Sequence, residues 1–205
     1  MDTLKETKIP DNGWTQHYDV VKELGDCYLS VGDYEQAKKC YEKAATLGPD
    51  ESGPYVGIGV LSMQEGQLSD AEVSFRVARR LDPKNSKAYC GLGMVCQQRG
   101  QLQEAFDFYL KCLELDNDNL TGLLGLFQTS CQMGSFSKVI YYLEAYLDMH
   151  PGDCSVMFCL AALYFKDGQA EKARELLLDI KILEPENKDA VNLLEEVEHA
   201  LKQKM

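Results

Sequence analysis

Residues 54–66 read PYVGIGVLSMQEG, and residues 88–100 read AYCGLGMVCQQRG. The two stretches lie 34 residues apart and keep their glycines in the same places. A G-x-G beside cysteines raises two readings, a phosphate-cradling loop and a metal site. A dinucleotide fingerprint follows a strand and carries a third glycine three residues after the second. Here Cys96 fills that slot, and the apolar residues around it recur at helical spacing. A repeated helical segment is the better reading.

The repetition extends in both directions. Gly32, Gly66, Gly100, Gly134 and Gly168 are each 34 residues apart. A small residue follows each within a few positions (Ala37, Ala71, Ala105, Val139, Ala173). Four further on stands a large apolar one (Tyr41, Phe75, Tyr109, Leu143, Leu177). Pro49, Pro83, Pro151 and Pro185 close four copies, and Asn117 fills the remaining slot. Each copy predicts two helices. The loop glycine ends the first and allows a positive φ, and proline stops the second. Small residues such as Gly25, Ala37 and Ala44 let the helices approach closely.

This pattern resembles the tetratricopeptide repeat, a 34-residue helix–turn–helix unit. The resemblance implies an all-α fold, a right-handed α-α superhelix or solenoid, with repeats at 18–51, 52–85, 86–119, 120–153 and 154–187. Residues 1–17 read as an irregular lead-in, with Trp14 over the first repeat. Residues 188–205 begin a sixth copy and stop. There Ala190, Val191, Leu194, Val197 and Leu201 form an apolar stripe, with Glu195, Glu196 and Glu198 facing water. Such a half-polar helix caps an open end of an array. In the fourth repeat Phe127, Val139 and Tyr146 stand where the other copies mostly carry Gly or Ala, which predicts that its helices are pushed apart or rotated and that the superhelical geometry changes near its junction with the third, the alternative being that neighbours shrink to compensate.

Composition narrows the function. The chain of 205 residues carries a formal net charge of −12, with its densest basic cluster at Arg76, Arg79 and Arg80. Nucleic-acid binding needs a basic stripe, so nucleic acid is not an expected partner. No apolar run reaches the roughly 18 residues of a membrane span, so direct membrane insertion is not expected. No secretory signal pattern opens the chain, and the expected compartment is cytoplasmic. The eight cysteines include no C-x-x-C and the three histidines are scattered. Reduced, core-forming thiols are expected, with no metal and no cofactor.

By its register, the resemblance places the partner-binding groove on the first helix of each pair. It implies Lys22 and Asp26 in repeat 1, beside Asp19 and Glu23. Repeat 2 gives Val56, Gly57, Val60 and Met63. Repeat 3 gives Lys87, Cys90, Gly91 and Met94, with Gln97. Repeat 4 gives Leu124, Gly125 and Gln128, with Thr121 and Cys131. Repeat 5 gives Phe158, Ala162 and Phe165, with Cys159 and Lys166. The middle of this surface is apolar, which suits a helix or apolar segment of a protein. The acidic first repeat suggests basic residues flanking that segment. Gly57, Gly91 and Gly125 stand in register, and a glycine inside a helix costs about 1 kcal/mol relative to alanine. Two uses compete: close approach of a partner backbone, or close packing between repeats. Some family members grip a C-terminal carboxylate with two lysines, two asparagines and an arginine. Lys22 and Lys87 match two of those positions, but Asp26, Gly57 and Gly91 occupy the others and disfavour that clamp.

Catalytic motifs are missing: there is no G-x-S-x-G, H-E-x-x-H or G-x-x-x-x-G-K. Asp116-Asn117-Asp118-Asn119 lacks the ligand spacing of a calcium loop and reads as a helix stop followed by a cap. Cys90, Cys131 and Cys159 are a weak metal candidate. The expectation is therefore a non-catalytic protein-interaction adaptor. Two alternatives stand beside it: a self-assembling scaffold forming homo-oligomers through groove or end contacts, with Ile9 and Trp14 in the donor arm, and a regulatory module acting with a separate enzyme. If the groove is not the site, the convex Tyr141 and Tyr142 and the chain ends are the next candidates.

Overall fold

The structure is a computed structural model that describes residues 17–203. The expectations for the lead-in, including Ile9 and Trp14, lie outside the described residues. Among the described residues there are eleven helices and no strand: α1 (Tyr18–Ser30), α2 (Tyr34–Leu47), α3 (Gly53–Gln64), α4 (Leu68–Leu81), α5 (Ser86–Gln98), α6 (Leu102–Leu115), α7 (Leu120–Met133), α8 (Ser137–Met149), α9 (Cys154–Lys166), α10 (Ala170–Leu183) and α11 (Lys188–Gln203). Two compact units divide the chain, Met1–Val95 and Cys96–Met205, with their boundary inside α5.

Each predicted turn has its cause in the backbone. The five loop glycines have φ between 70° and 80°, a region where a Cβ is strained. The amide just past the glycine then reaches back to the carbonyl of the last full turn, as in Asp33 N to Tyr28 O at 2.9 Å and Gln101 N to Cys96 O at 2.9 Å. The acidic tetrad behaves as a stop and a cap. α6 ends at Leu115 and Asn119 accepts a hydrogen bond from Gly122 N at 2.9 Å.

In the first unit α1 packs on α2, α2 on α3, and α3 on α4. The core is built on the large residue of each second helix: Tyr41 is fully buried and Phe75 is 1% exposed. In the second unit α6 packs on α7, α9 on α10, and α10 on α11. Its core holds Tyr109, Leu143 and Leu177 at the same repeat position. α11 buries Ala190, Leu194 and Val197 and leaves Glu195 and Glu196 exposed.

The two helices of the fourth repeat stand apart, as its enlarged residues predict. α6 and α7 pack closely, whereas the backbones of α7 and α8 approach over a far shorter stretch than those of α1 and α2 or α9 and α10. The opening is thus within the helix pair. Val139 and Tyr146 are both buried there, and a valine and a tyrosine cannot be overlain as closely as two alanines. The turn adjusts as well. α7 continues to the residue before Gly134, and α8 begins only at Ser137.

Candidate functional site

The glycines in register have a structural occupant. A Cβ on Gly57 would lie 2.4 Å from the Tyr41 ring, one on Gly91 2.4 Å from Phe75, and one on Gly125 2.3 Å from Tyr109. On the other side of two of these rings, Gly25 faces Tyr41 and Gly59 faces Phe75, at 2.7 and 2.6 Å. Tyr41 and Phe75 are thus each held between a glycine of their own repeat and a glycine of the next. Of the two competing uses, packing between repeats accounts for all three, and partner approach is not required. Cys90 is also corrected from lining to interior, being 5% exposed.

One cleft of about 520 Å³ opens in the first unit. It brings together Lys22, Asp26, Val56, Gly57, Val60 and Lys87 of the expected groove residues, and it adds Leu29, Tyr41, Lys84 and Asn85. Met63, Gly91 and Met94 lie outside its lining. Val56, Val60 and Leu29 are half-buried and form its apolar part.

The polar part is organised around Asp26. Tyr41 donates its hydroxyl to Asp26 Oδ1 at 2.7 Å, and Lys22 Nζ lies 2.6 Å from Asp26 Oδ2. The hydrogen bond to Asp26 is the main cause that holds the Lys22 ammonium charged above its ordinary range. Burial, then the neighbouring Asp26 carboxylate, pushes the Tyr41 phenol well above its ordinary value. Asp26 is therefore already neutralised and positioned from within. Lys84, from the segment leading into α5, and Lys87, in its first turn, add two exposed ammonium groups. Asn85 fixes that segment. It donates to the buried Ser52 Oγ at 2.8 Å and caps α5 by accepting from Ala88 N at 3.1 Å.

In the second unit the expected residues make a different surface. Gln97 accepts from the Tyr109 hydroxyl at 2.6 Å and donates to the exposed Gln128 at 3.0 Å. Leu124, Phe158, Ala162 and Phe165 are half-buried. Cys159 and Cys131 are neighbours, and burial first, then Cys131, pushes the Cys159 thiol up to about 11. A second cleft of about 420 Å³ lies against α8, lined by Leu110, Glu114, Lys138, Tyr141 and Tyr142. Among the described residues no group of three or more His, Cys, Asp or Glu side chains could hold a metal, and no helix is long and apolar enough to cross a membrane.

Sequence reasoning missed Lys84, Asn85 and the second role of Tyr41. Tyr41 carried a signal, since a phenol in place of Phe75 implies a partner for its hydroxyl. Lys84 and Asn85 carried none, because they lie between the predicted helices.

The family model for the tetratricopeptide repeat matches residues 19–51 and 86–119. Comparison with curated proteins gives no significant match. Among solved structures, Pseudomonas aeruginosa PilF is 22% identical with a TM-score of 0.76, covering 94% of this chain and 88% of that one. YrrB, described as a TPR protein with an unusual peptide-binding site, is 20% identical with a TM-score of 0.65, covering 87% and 92%. The first TPR of Spaghetti (RPAP3), bound to an HSP90 peptide SRMEEVD, is 26% identical with a TM-score of 0.53, covering 59% and 96%.

Proposed function

We propose that this chain is a tetratricopeptide-repeat protein and a non-catalytic adaptor whose first-unit cleft binds a segment of a partner protein. The observation that carries this reading is the cleft's composition. Apolar Val56, Val60 and Leu29 lie beside three lysines and a single, internally paired aspartate. An aliphatic or aromatic side chain fits the apolar part, and carboxylates fit Lys84 and Lys87.

That chemistry reverses the expected flanks. A partner segment with acidic flanks suits this cleft better than one with basic flanks, because Lys22 and Tyr41 already satisfy Asp26. The Spaghetti domain holds an acidic peptide, SRMEEVD. The likeness supports an acidic ligand class for this chain, but not the same grip, since Asp26, Gly57 and Gly91 stand at three of the five clamp positions.

Affinity capture with three baits tests the reading: the wild type, Val56→Asp, and the pair Lys84→Glu with Lys87→Glu. Circular dichroism confirms that each is folded. The expected result is a protein retained by the wild type and lost by both variants, whose binding segment is apolar with acidic flanks. Capture of the same proteins by all three baits would remove the cleft from consideration and turn attention to Tyr141 and Tyr142.

A further inference from the structure

We infer that the outer face of α1 is a docking surface for an amphipathic helix of a partner protein, one that sets a basic residue against Glu23. Val20, Leu24, Cys27 and Val31 recur at i, i+4, i+7 and i+11 and so form one stripe along the helix. Val20 is 37% exposed, Val31 is 76% exposed, and Cys27 is also exposed. Elsewhere in the chain the Val20 and Cys27 positions of this face are interior, whereas the Val31 position, just past the helix, stays at the surface as Glu65, Arg99 and Asp167. The counterparts of Cys27 in the later repeats, Leu61, Val95, Thr129 and Leu163, are at most 3% exposed. The counterparts of Val20 from repeat 3 onward, Ala88, Gly122 and Val156, are buried too.

What covers the face elsewhere is a helix: α2 on α3, α6 on α7, α8 on α9 and α10 on α11. α1 is the first helix among the described residues, and its stripe has the geometry to receive one more. The occupant differs from those internal helices at one position. They place Tyr41, Phe75 and Tyr109 against Gly57, Gly91 and Gly125. The counterpart of these glycines in repeat 1 is Glu23, with Asp19 one turn before it. The Glu23 side chain is 70% exposed, and both residues lie on the surface. A carboxylate will not accept a buried ring in that place, since it would lose its hydration without a partner. It accepts a lysine or arginine. Lys22, 3.1 Å from Glu23, is shared with Asp26 at 2.6 Å and leaves acidic potential on this edge. A second copy of this chain is a poor occupant, because its α11 cap presents Glu195 and Glu196 outward and would meet like charge.

The probe is a lactam-bridged synthetic helix with the sequence of residues 34–47 carrying Tyr41→Lys, the bridge overcoming the marginal stability of a short helix. It is titrated calorimetrically into the full chain. We expect one-to-one binding, weakened at least tenfold by Cys27→Asp and by Glu23→Lys on the protein, and unchanged by Val56→Asp in the cleft. A probe with Tyr41→Glu should restore binding to the Glu23→Lys protein, which a mere loss of folding could not produce. No binding, or binding indifferent to the Glu23→Lys exchange, overturns the inference. So does a red shift of the single tryptophan, Trp14, on Cys27→Asp without probe, which would assign the stripe to the chain's own first residues. A dimer dispersed by Cys27→Asp would assign it to a second copy and overturn the inference equally.

Discussion

The pairing of an aromatic ring with two glycines is the smallest unit that explains this chain. Gly91→Ala is expected to destabilise the protein, because about 1–3 kcal/mol of overpacking against Phe75 outweighs the roughly 1 kcal/mol that alanine returns in helix propensity. The fourth repeat already contains the remedy. Leu143 replaces the ring, and Cys159 and Phe127 replace its two glycines. Gly91→Cys combined with Phe75→Leu should therefore be more stable in urea than Gly91→Cys alone, and an additive loss would refute the coupling. Cys159 yields a pH prediction. Its folded value of about 11 lies above its ordinary 9.0, so the unfolded chain releases this proton first as pH rises. The thiol's contribution is whole below pH 9 and fades between 9 and 11. Stability should fall over that window, and Cys159→Ala should flatten the fall in thermal melts.

At the scale of helices, the sequence disclosed where each begins and ends, because glycine, proline and Asn119 act on their own backbone. It also disclosed that the fourth repeat is irregular. It placed the separation between that repeat's own two helices, where the enlarged residues meet, but not whether neighbours would shrink to absorb it. Here α6 keeps its hold on α7, and α7 separates from α8. A buried polar cost accompanies this. Thr129 Oγ1 turns back to the Gly125 carbonyl at 2.7 Å, but the buried Ser130 Oγ has no hydrogen-bond partner among the described residues, a penalty of about 1–3 kcal/mol. Hydrogen exchange should accordingly be faster in α8 than in α4 or α10. Equal protection of the three would show that the opening costs nothing.

For the whole molecule, the all-α repeat fold was legible, whereas the cleft was only half so. Its apolar floor follows from register. Its charge does not, because Lys84 and Asn85 arrive from a connection and Asp26 is neutralised by residues 4 and 15 positions away. Removing residues 188–205 should strip α10 of its cover and lower the melting temperature, with aggregation seen by light scattering. A monomer with an unchanged melting point would deny α11 its capping role. The interlock of ring and glycine also bears on how such arrays can be recombined. A crossover placed at the helix-pair boundary, between α2 and α3 for instance, separates Tyr41 from Gly57. One placed at the loop glycine separates Tyr41 from Gly25. The inheritable segment that keeps every ring in its seat runs from the first helix of one pair to the first helix of the next. Chimeras exchanged on that overlapping frame should fold where those cut at either edge of a repeat do not.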